Sequence, residues 1–407
     1  MKRLIFKYLS IICGLAAAAS CTYEYEADIP SDTSVVIIDG RIVAGSLSTI
    51  SITQAIPLRD NTQHIVYASR VSGRLECDDG SFLTSEGGYA GIEFDTRAID
   101  ASRKYKVSLD SDLGSFESDW ISVYEAPVID KLTCTESGPQ GSRYLDFRVS
   151  AHSASSPYFA LTYTEAWEHT SLTTTMLEYF PQTNTVEDAS WIGHEHPYYR
   201  CWQESEKPIT VISSAAHAES RITDAYLTML SENDLRISVL YRIIVNVSST
   251  GKDYYEYWDN LRTVSYVDGD LFTPIPSNME GNIHRTSGTG TVIGFLGAGK
   301  AAIDTLYYKN RGFYRTPQSL NTMLNQLMHY QRDYENPGDL NEYYCPASDE
   351  WPDAYNKGDV PIREAMTEQG SIPGVYVWGN KACVDCRTLG GGLSFPEDWP
   401  DRNDRNL

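Results

Sequence analysis

The sequence predicts a mainly β protein: an N-terminal immunoglobulin- or prealbumin-like β-sandwich, then a larger β-rich domain with two or so short helices and a loop-rich C-terminal tail. Three observations carry this. Runs such as Thr49-Ile50-Ser51-Ile52-Thr53 alternate apolar and polar residues at period two, the pattern of a strand with one face in a core. Polar and glycine clusters, among them Asp78-Asp79-Gly80, Glu86-Gly87-Gly88 and Asp110-Ser111-Asp112, punctuate those runs. They recur at roughly 8–12 residues, the spacing of sandwich strands. Tyrosine is abundant, at 28 of 407 residues, and tyrosine favours pleated surfaces.

Taken in chain order, residues 1–20 read as a secretory signal peptide. Lys2, Arg3 and Lys7 make a basic start, an apolar run follows from Tyr8 to Gly14, and small residues fill Ala16 to Ser20. The run is too short for a membrane span, which takes about 20 apolar residues. Cys21 follows Ala18-Ala19-Ser20 as in a lipobox, so its thiol is expected to be lipidated and to become the new N-terminus. Ordinary cleavage near Ala19, with Cys21 free for a disulfide, is the other outcome. Several acyl chains together anchor stably where one holds marginally. Residues 21–30 are then an acidic tether.

The first sandwich is expected over residues 31–125. Its strands are Val35-Val36-Ile37-Ile38, 49–53, 70–76, 91–94, 104–109 and 116–123, and Ala126-Pro127 marks the junction. The second domain, 126–407, opens with strands at 145–150 and 158–163. A long apolar-alternating run at 235–247 is a core strand, and further strands lie at 292–296 and 304–308. Tyr255, Trp258 and Leu261 recur at helical spacing and predict a helix over 252–264; Leu320, Met323, Leu324 and Leu327 predict another over 318–330. Beyond it Pro337, Pro346, Pro352, Pro361 and Pro373 predict a tail without regular structure, held by disulfides.

Net charge is −22, and loss of Lys2, Arg3 and Lys7 with the leader takes it to −25. Such acidity argues against nucleic-acid binding, which rests on neutralising phosphates with Lys and Arg. Once Cys13 leaves with the leader and Cys21 is lipidated, Cys77, Cys134, Cys201, Cys345, Cys383 and Cys386 remain. An even number in an oxidising compartment predicts structural disulfides, with 15 connectivities open. Cys383-Val384-Asp385-Cys386 lacks the following helix of a thioredoxin-like centre and the second ligand pair of a zinc site. It is expected to staple the tail to the body, with Cys201 or Cys345 as partners.

No cofactor or catalytic centre is legible. Gly294-Phe295-Leu296-Gly297-Ala298-Gly299-Lys300 has the spacing of a phosphate-binding loop, but Ala301 stands where Ser or Thr must hold magnesium, so a glycine-rich strand end is expected. His194-Glu195-His196 has no third ligand for a catalytic metal. The aromatic-rich stretch from 158 to 202 is the candidate ligand or partner surface, through Trp167, Trp191, Tyr198, Tyr199 and Trp202, with sandwich core as the competing reading.

A resemblance rests on the order of elements rather than on any one of them. Cys201-Trp202 comes first, then Tyr255 to Trp258 with Leu261. Asp268-Gly269-Asp270-Leu271-Phe272, Pro274-Ile275-Pro276-Ser277 and Gly281-Asn282-Ile283 follow. Val292-Ile293-Gly294-Phe295 leads to the tail, Cys383-Val384-Asp385-Cys386-Arg387, Gly391 and Phe395-Pro396-Glu397-Asp398-Trp399. This resembles the Bacteroidota lipoprotein family catalogued as domain of unknown function 4249, from Val35 nearly to the C-terminus. The tail departs from the family's usual Lys-Pro-Asp-Phe-Trp. The resemblance implies an outer-membrane lipoprotein, often encoded beside a TonB-dependent receptor, and no known catalysis. The expectation is a non-enzymatic, surface-facing accessory or ligand-capture component of such a receptor. An independent glycan- or protein-binding adhesin is the alternative, and a secreted hydrolase the weakest reading.

Overall fold

The computed structural model describes residues 35–55, 66–216, 220–266, 281–329, 343–367 and 370–400. The expected leader, Cys21, the tether and the run from Asp268 to Ser277 lie outside them. The described chain is mainly β, in two sandwiches and a smaller C-terminal unit.

Strand Val35–Val43 points Val36, Ile38 and Ile42 inward and its odd-numbered residues outward. It pairs antiparallel with Leu47–Gln54, whose Ile50 and Ile52 join the same core. The facing sheet, built around Lys104–Ser111, closes that core with Leu75, Val107, Leu109 and Phe116. Each such fully buried side chain contributes about 1.5–3 kcal/mol. The sandwich is completed by residues well past the expected junction at 125. Thr291–Ile293 and Gly297–Gly299 pair in parallel with Val35–Val43, and Ile283–Ser287 pairs with Gly114–Ser118 in the facing sheet. The Asn282 side chain fixes this return: its amide donates to the Leu296 carbonyl and its oxygen accepts from the Leu296 N–H, both at 2.8 Å.

The second sandwich faces a three-stranded sheet (Val128–Ser137, Tyr144–His152, Arg221–Ser231) with a four-stranded one. The latter runs Arg200–Ser213, Tyr158–Thr170, Leu240–Thr250, Ala301–Lys309 in spatial order. Phe147 and Tyr241 meet across the core with ring centres 5.1 Å apart. The strand expected at 235–247 begins at Leu240 instead. Asp234 accepts from the Arg236 N–H and caps a short 3-10 turn over Leu235–Ile237, so local side-chain bonding overrides the alternation there. Between the sheets the Glu165 carboxylate is fully buried and receives Tyr241 Oη at 2.6 Å, Arg236 at 2.9 Å and Lys207 at 2.9 Å.

Helix Lys252–Tyr266 packs on the outer face of the four-stranded sheet, against Ala160 and Val211. Among its residues of described burial the most buried are Tyr254 and Tyr257, about one residue N-terminal to the expected face, because both rings pack on Phe295 at 5.6 and 5.4 Å. Helix Gln318–Leu327 half-buries Leu320, Met323, Leu324 and Leu327 as its spacing predicts. The tail is more ordered than its prolines suggest. After a short helix, Trp351–Asn356, strands Asp359–Thr367 and Gly370–Asn380 form a hairpin, with register shifts at Pro361/Arg363 and Glu364/Met366 that let the ladder pass Pro361.

Candidate ligand-binding cleft

The long excursion between strands Tyr158–Thr170 and Arg200–Ser213 carries a small hairpin, Leu177–Phe180 with Thr185–Asp188, and then the loop bearing Trp191. The C-terminal unit docks against it. Thr173 N–H donates to the Cys383 carbonyl at 2.9 Å, Cys386 N–H to the Tyr198 carbonyl at 2.9 Å, and Thr175 Oγ1 to the Pro361 carbonyl at 2.8 Å. The Cys201–Cys386 disulfide locks the two together across 185 residues of sequence, with Cα atoms 5.5 Å apart.

A cavity of about 370 Å3 lies between these pieces. Trp191 forms one wall; its indole N–H donates to the Thr175 carbonyl at 2.9 Å and its ring meets the His196 edge at 4.8 Å. Burial holds the His196 imidazole below its ordinary value, so it is neutral at pH 7, with Asp385 the opposing influence. Its Nδ1 accepts the Tyr198 N–H at 3.2 Å. Tyr198 is exposed and lies beneath the Arg387 guanidinium, 4.5 Å from ring centre to carbon. Arg387 is held there by a two-point pair to Asp385, at 2.9 and 2.6 Å, a geometry that fixes the plane of the guanidinium. Tyr179 and Tyr355, rings 5.3 Å apart, close the far side, and Lys381 brings an ammonium to the lining. The walls are therefore aromatic faces with a few charged groups at fixed positions, which suits stacking of a ring or apolar side chain with polar groups setting orientation.

Of the aromatic residues singled out in the sequence, Trp191 and Tyr198 line this cleft. Tyr199 turns instead to Arg200, 5.6 Å from its ring centre. Trp167 packs on the second sandwich's core, and Trp202 packs on Ala166, Leu240 and Trp399 with Phe395 6.0 Å away. Trp202 thereby seats the tail: its N–H and carbonyl bond Gly392 at 2.9 and 3.0 Å. A Cβ on Gly391, at φ +85°, would stand 2.6 Å from the Trp202 carbonyl, so only glycine passes here. The cleft residues that pattern-reading missed are Tyr355, Lys381 and Arg387, all in the tail expected to be loop. The alternating run ending at Trp378, just before Lys381, was their available signal.

The cysteines divide. Cys201 and Cys386 pair. Cys77 is a buried thiol of the first core, and Cys134 a half-buried thiol on Val128–Ser137. These two sit in different sandwiches and so cannot meet. Cys383 stays a buried thiol 4.0 Å from the Met328 sulfur, and burial pushes its pKa up to about 12. Cys345 is exposed. In His194-Glu195-His196 the carboxylate is taken by Arg200 at 2.8 Å. Among the described residues no three His, Cys, Asp or Glu side chains converge to hold a metal ion. The glycines of the phosphate-loop-like run lie against other structure: a Cβ on Gly297 would stand 2.6 Å from the Tyr254 ring, and Gly297–Gly299 is a strand followed by another, Ala301–Lys309. Lys300 pairs with Glu125 at 3.0 Å.

Fold and cleft together define a β-sandwich protein with an aromatic recess built from a long insertion and a cross-linked C-terminal unit. Residues 22–305 match the family described as Domain of unknown function (DUF4249), and the chain belongs to that family. Membership supports an outer-membrane location. No curated protein matches. Among solved structures, a two-domain fibronectin type III segment of chicken tenascin is 13% identical, covers 53% of this chain and 91% of its own, and superposes with a TM-score of 0.16.

Proposed function

We propose that this chain is a lipid-anchored, non-enzymatic capture protein of the outer membrane, working beside a TonB-dependent receptor and holding its ligand in the Trp191–Tyr198 cleft. The cleft carries the reading: aromatic walls and fixed charges are present, while no nucleophile beside a base stands among them. Cys21 supplies the anchor, and the acidic tether over 21–30 spaces the sandwiches from the membrane on the cell's outer side. The fitting ligands are glycans, whose apolar ring faces stack on tryptophan and tyrosine, or peptides with aromatic or aliphatic side chains.

Two measurements test this. Glycan and peptide arrays probed with the wild-type protein and with Trp191→Ala should give a ligand whose binding falls roughly fivefold or more in the variant, the cost of losing a stacked ring of about 1–3 kcal/mol. Pull-down from native membranes in mild detergent should recover a barrel protein. Array binding without a barrel makes the protein an independent adhesin; binding untouched by Trp191→Ala removes the cleft from the account.

A further inference from the structure

A second cavity, of about 830 Å3, opens between the two sandwiches. That volume lies within the range of ligand sites, which form preferentially at domain interfaces. Strand Val35–Val43 turns Asp39 and Arg41 outward on one face, toward the second sandwich. Glu206 and Asn246 line the opposite wall, and helix Lys252–Tyr266 contributes Tyr254 and Trp258.

Arg41 is the feature the fold does not use up. Its Nη2 donates to the Ser249 carbonyl at 3.2 Å, and its guanidinium carbon lies 5.9 Å from the Tyr254 ring centre. Its Nε is shut off from solvent with no partner, and no carboxylate pairs with it among the described residues. Several other partly buried arginines are neutralised: Arg143, Arg200 and Arg236 hold carboxylates at 2.9, 2.5 and 2.9 Å, whereas Arg285 shares Arg41's lack of one but lines no cavity of this size. A guanidinium drawn out of water without a counter-charge is costly, and a ligand carboxylate both neutralises it and matches its donor fork. A simple anion does not fit, because Asp39 and Glu206 flank the cavity. Lys207, which also lines it, is spent on Glu165 at 2.9 Å. The exposed Asp39 carboxylate on the cavity wall offers an anchor for a cation. A ligand carrying both signs satisfies both groups at once.

We infer that the cavity between the sandwiches is a second binding site, separate from the Trp191 cleft, for a short zwitterionic peptide. Its carboxylate pairs with Arg41, its ammonium lies toward Asp39 and Glu206, and its side chains rest on Tyr254 and Trp258. Such a site gives the protein a peptide specificity that does not depend on what the Trp191 cleft holds.

Isothermal titration of the full-length protein in detergent with tri-alanine tests this. Its C-terminal amide and its N-acetyl form are titrated beside it. Amidation should weaken binding roughly tenfold or more, the loss of a charge-assisted hydrogen bond to Arg41, and acetylation should weaken it by a smaller factor. Arg41→Gln should reproduce the loss for the free acid and leave the amide unchanged, and Trp191→Ala should leave both unaltered. The amide comparison uses the unaltered chain, so it stands even if Arg41→Gln fails to fold. Equal affinity for acid and amide, or no binding of tri-alanine at millimolar concentration, overturns the inference. So does loss of binding in Trp191→Ala, which would put the peptide in the other cleft.

Discussion

Breaking the Cys201–Cys386 link, by the double change Cys201→Ser and Cys386→Ser, should loosen the C-terminal unit from the sandwich that carries it. The bridge closes 185 residues of sequence. In the chain-entropy account a loop of that length restricts the unfolded chain by about 5 kcal/mol at 25 °C, and removal of native bridges typically costs about 2–5 kcal/mol. The loss should be local first, because Cys386 N–H bonds the Tyr198 carbonyl and Thr173 N–H bonds the Cys383 carbonyl at the same seam. Trp378, fully buried in the C-terminal unit, is a suitable reporter. Urea denaturation followed by tryptophan fluorescence should show an early transition in the variant that is absent from the oxidised wild type, and limited proteolysis should cut within the 171–199 insertion. Wild-type protein treated with a reductant should behave as the variant does. A single transition within about 1 kcal/mol of wild type would refute the reasoning, since so small a change means that non-covalent contacts alone hold the seam.

Three further outcomes follow from the packing. Glu165→Ala should destabilise by about 1–3 kcal/mol, because it leaves the buried Tyr241 hydroxyl without its acceptor and takes a counter-charge from the part-exposed Arg236 and Lys207, Arg236 keeping Asp234; thermal denaturation reads this, and a loss under about 1 kcal/mol would contradict it. Burial holds His169 and His196 below their ordinary value, so the folded state favours neutral rings. Their contribution is then fully present above the unfolded value of about 6.5 and is lost as pH falls through it toward the depressed folded value. Urea midpoints should fall between about pH 7.5 and 5.5, and His196→Gln should flatten part of that slope; an identical slope in the variant argues against a neutral, buried His196. Gly297→Ala should cost about 1–3 kcal/mol through collision with the Tyr254 ring, whereas Lys300→Ala at the solvent-facing pair with Glu125 should cost under about 1 kcal/mol. The reverse ranking, by thermal melts, would revive a role for Lys300 as something other than a surface ion.

Much of the fold is written locally. Alternation in Thr49-Ile50-Ser51-Ile52-Thr53 reports a strand with one buried face, and Leu320, Met323, Leu324 and Leu327 report a helix stripe, because period alone sets which side chains share a face. The tail hairpin escaped, since Pro361 and Pro373 break the pattern that marks a strand, and register shifts that absorb a proline leave no sequence period. The 3-10 turn at Leu235–Ile237 was likewise hidden inside an apolar run, where a single capping bond from Asp234 decided the outcome.

The candidate cleft was half legible. Trp191 and Tyr198 stand out in a sequence rich in aromatics, but so do Trp167 and Trp202, and composition cannot separate a ring that packs a core from one that walls a recess. Cys386 was visible as a cross-linking residue, while its choice of Cys201 over Cys345 depended on which loop the tail meets in space.

By itself, then, the sequence determined the β character of the chain, its acidic surface, and the order of motifs that ties it to its family. These are properties of neighbours along the chain, set by side-chain period, charge and spacing. Only the tertiary structure decided that residues 283–299 return to finish the first sandwich, that the tail closes over the 171–199 insertion, and that Arg41, between two sandwiches, has no carboxylate partner among the described residues. Each of those depends on contacts between residues from about 160 to more than 250 positions apart, and no local preference encodes where such distant surfaces meet.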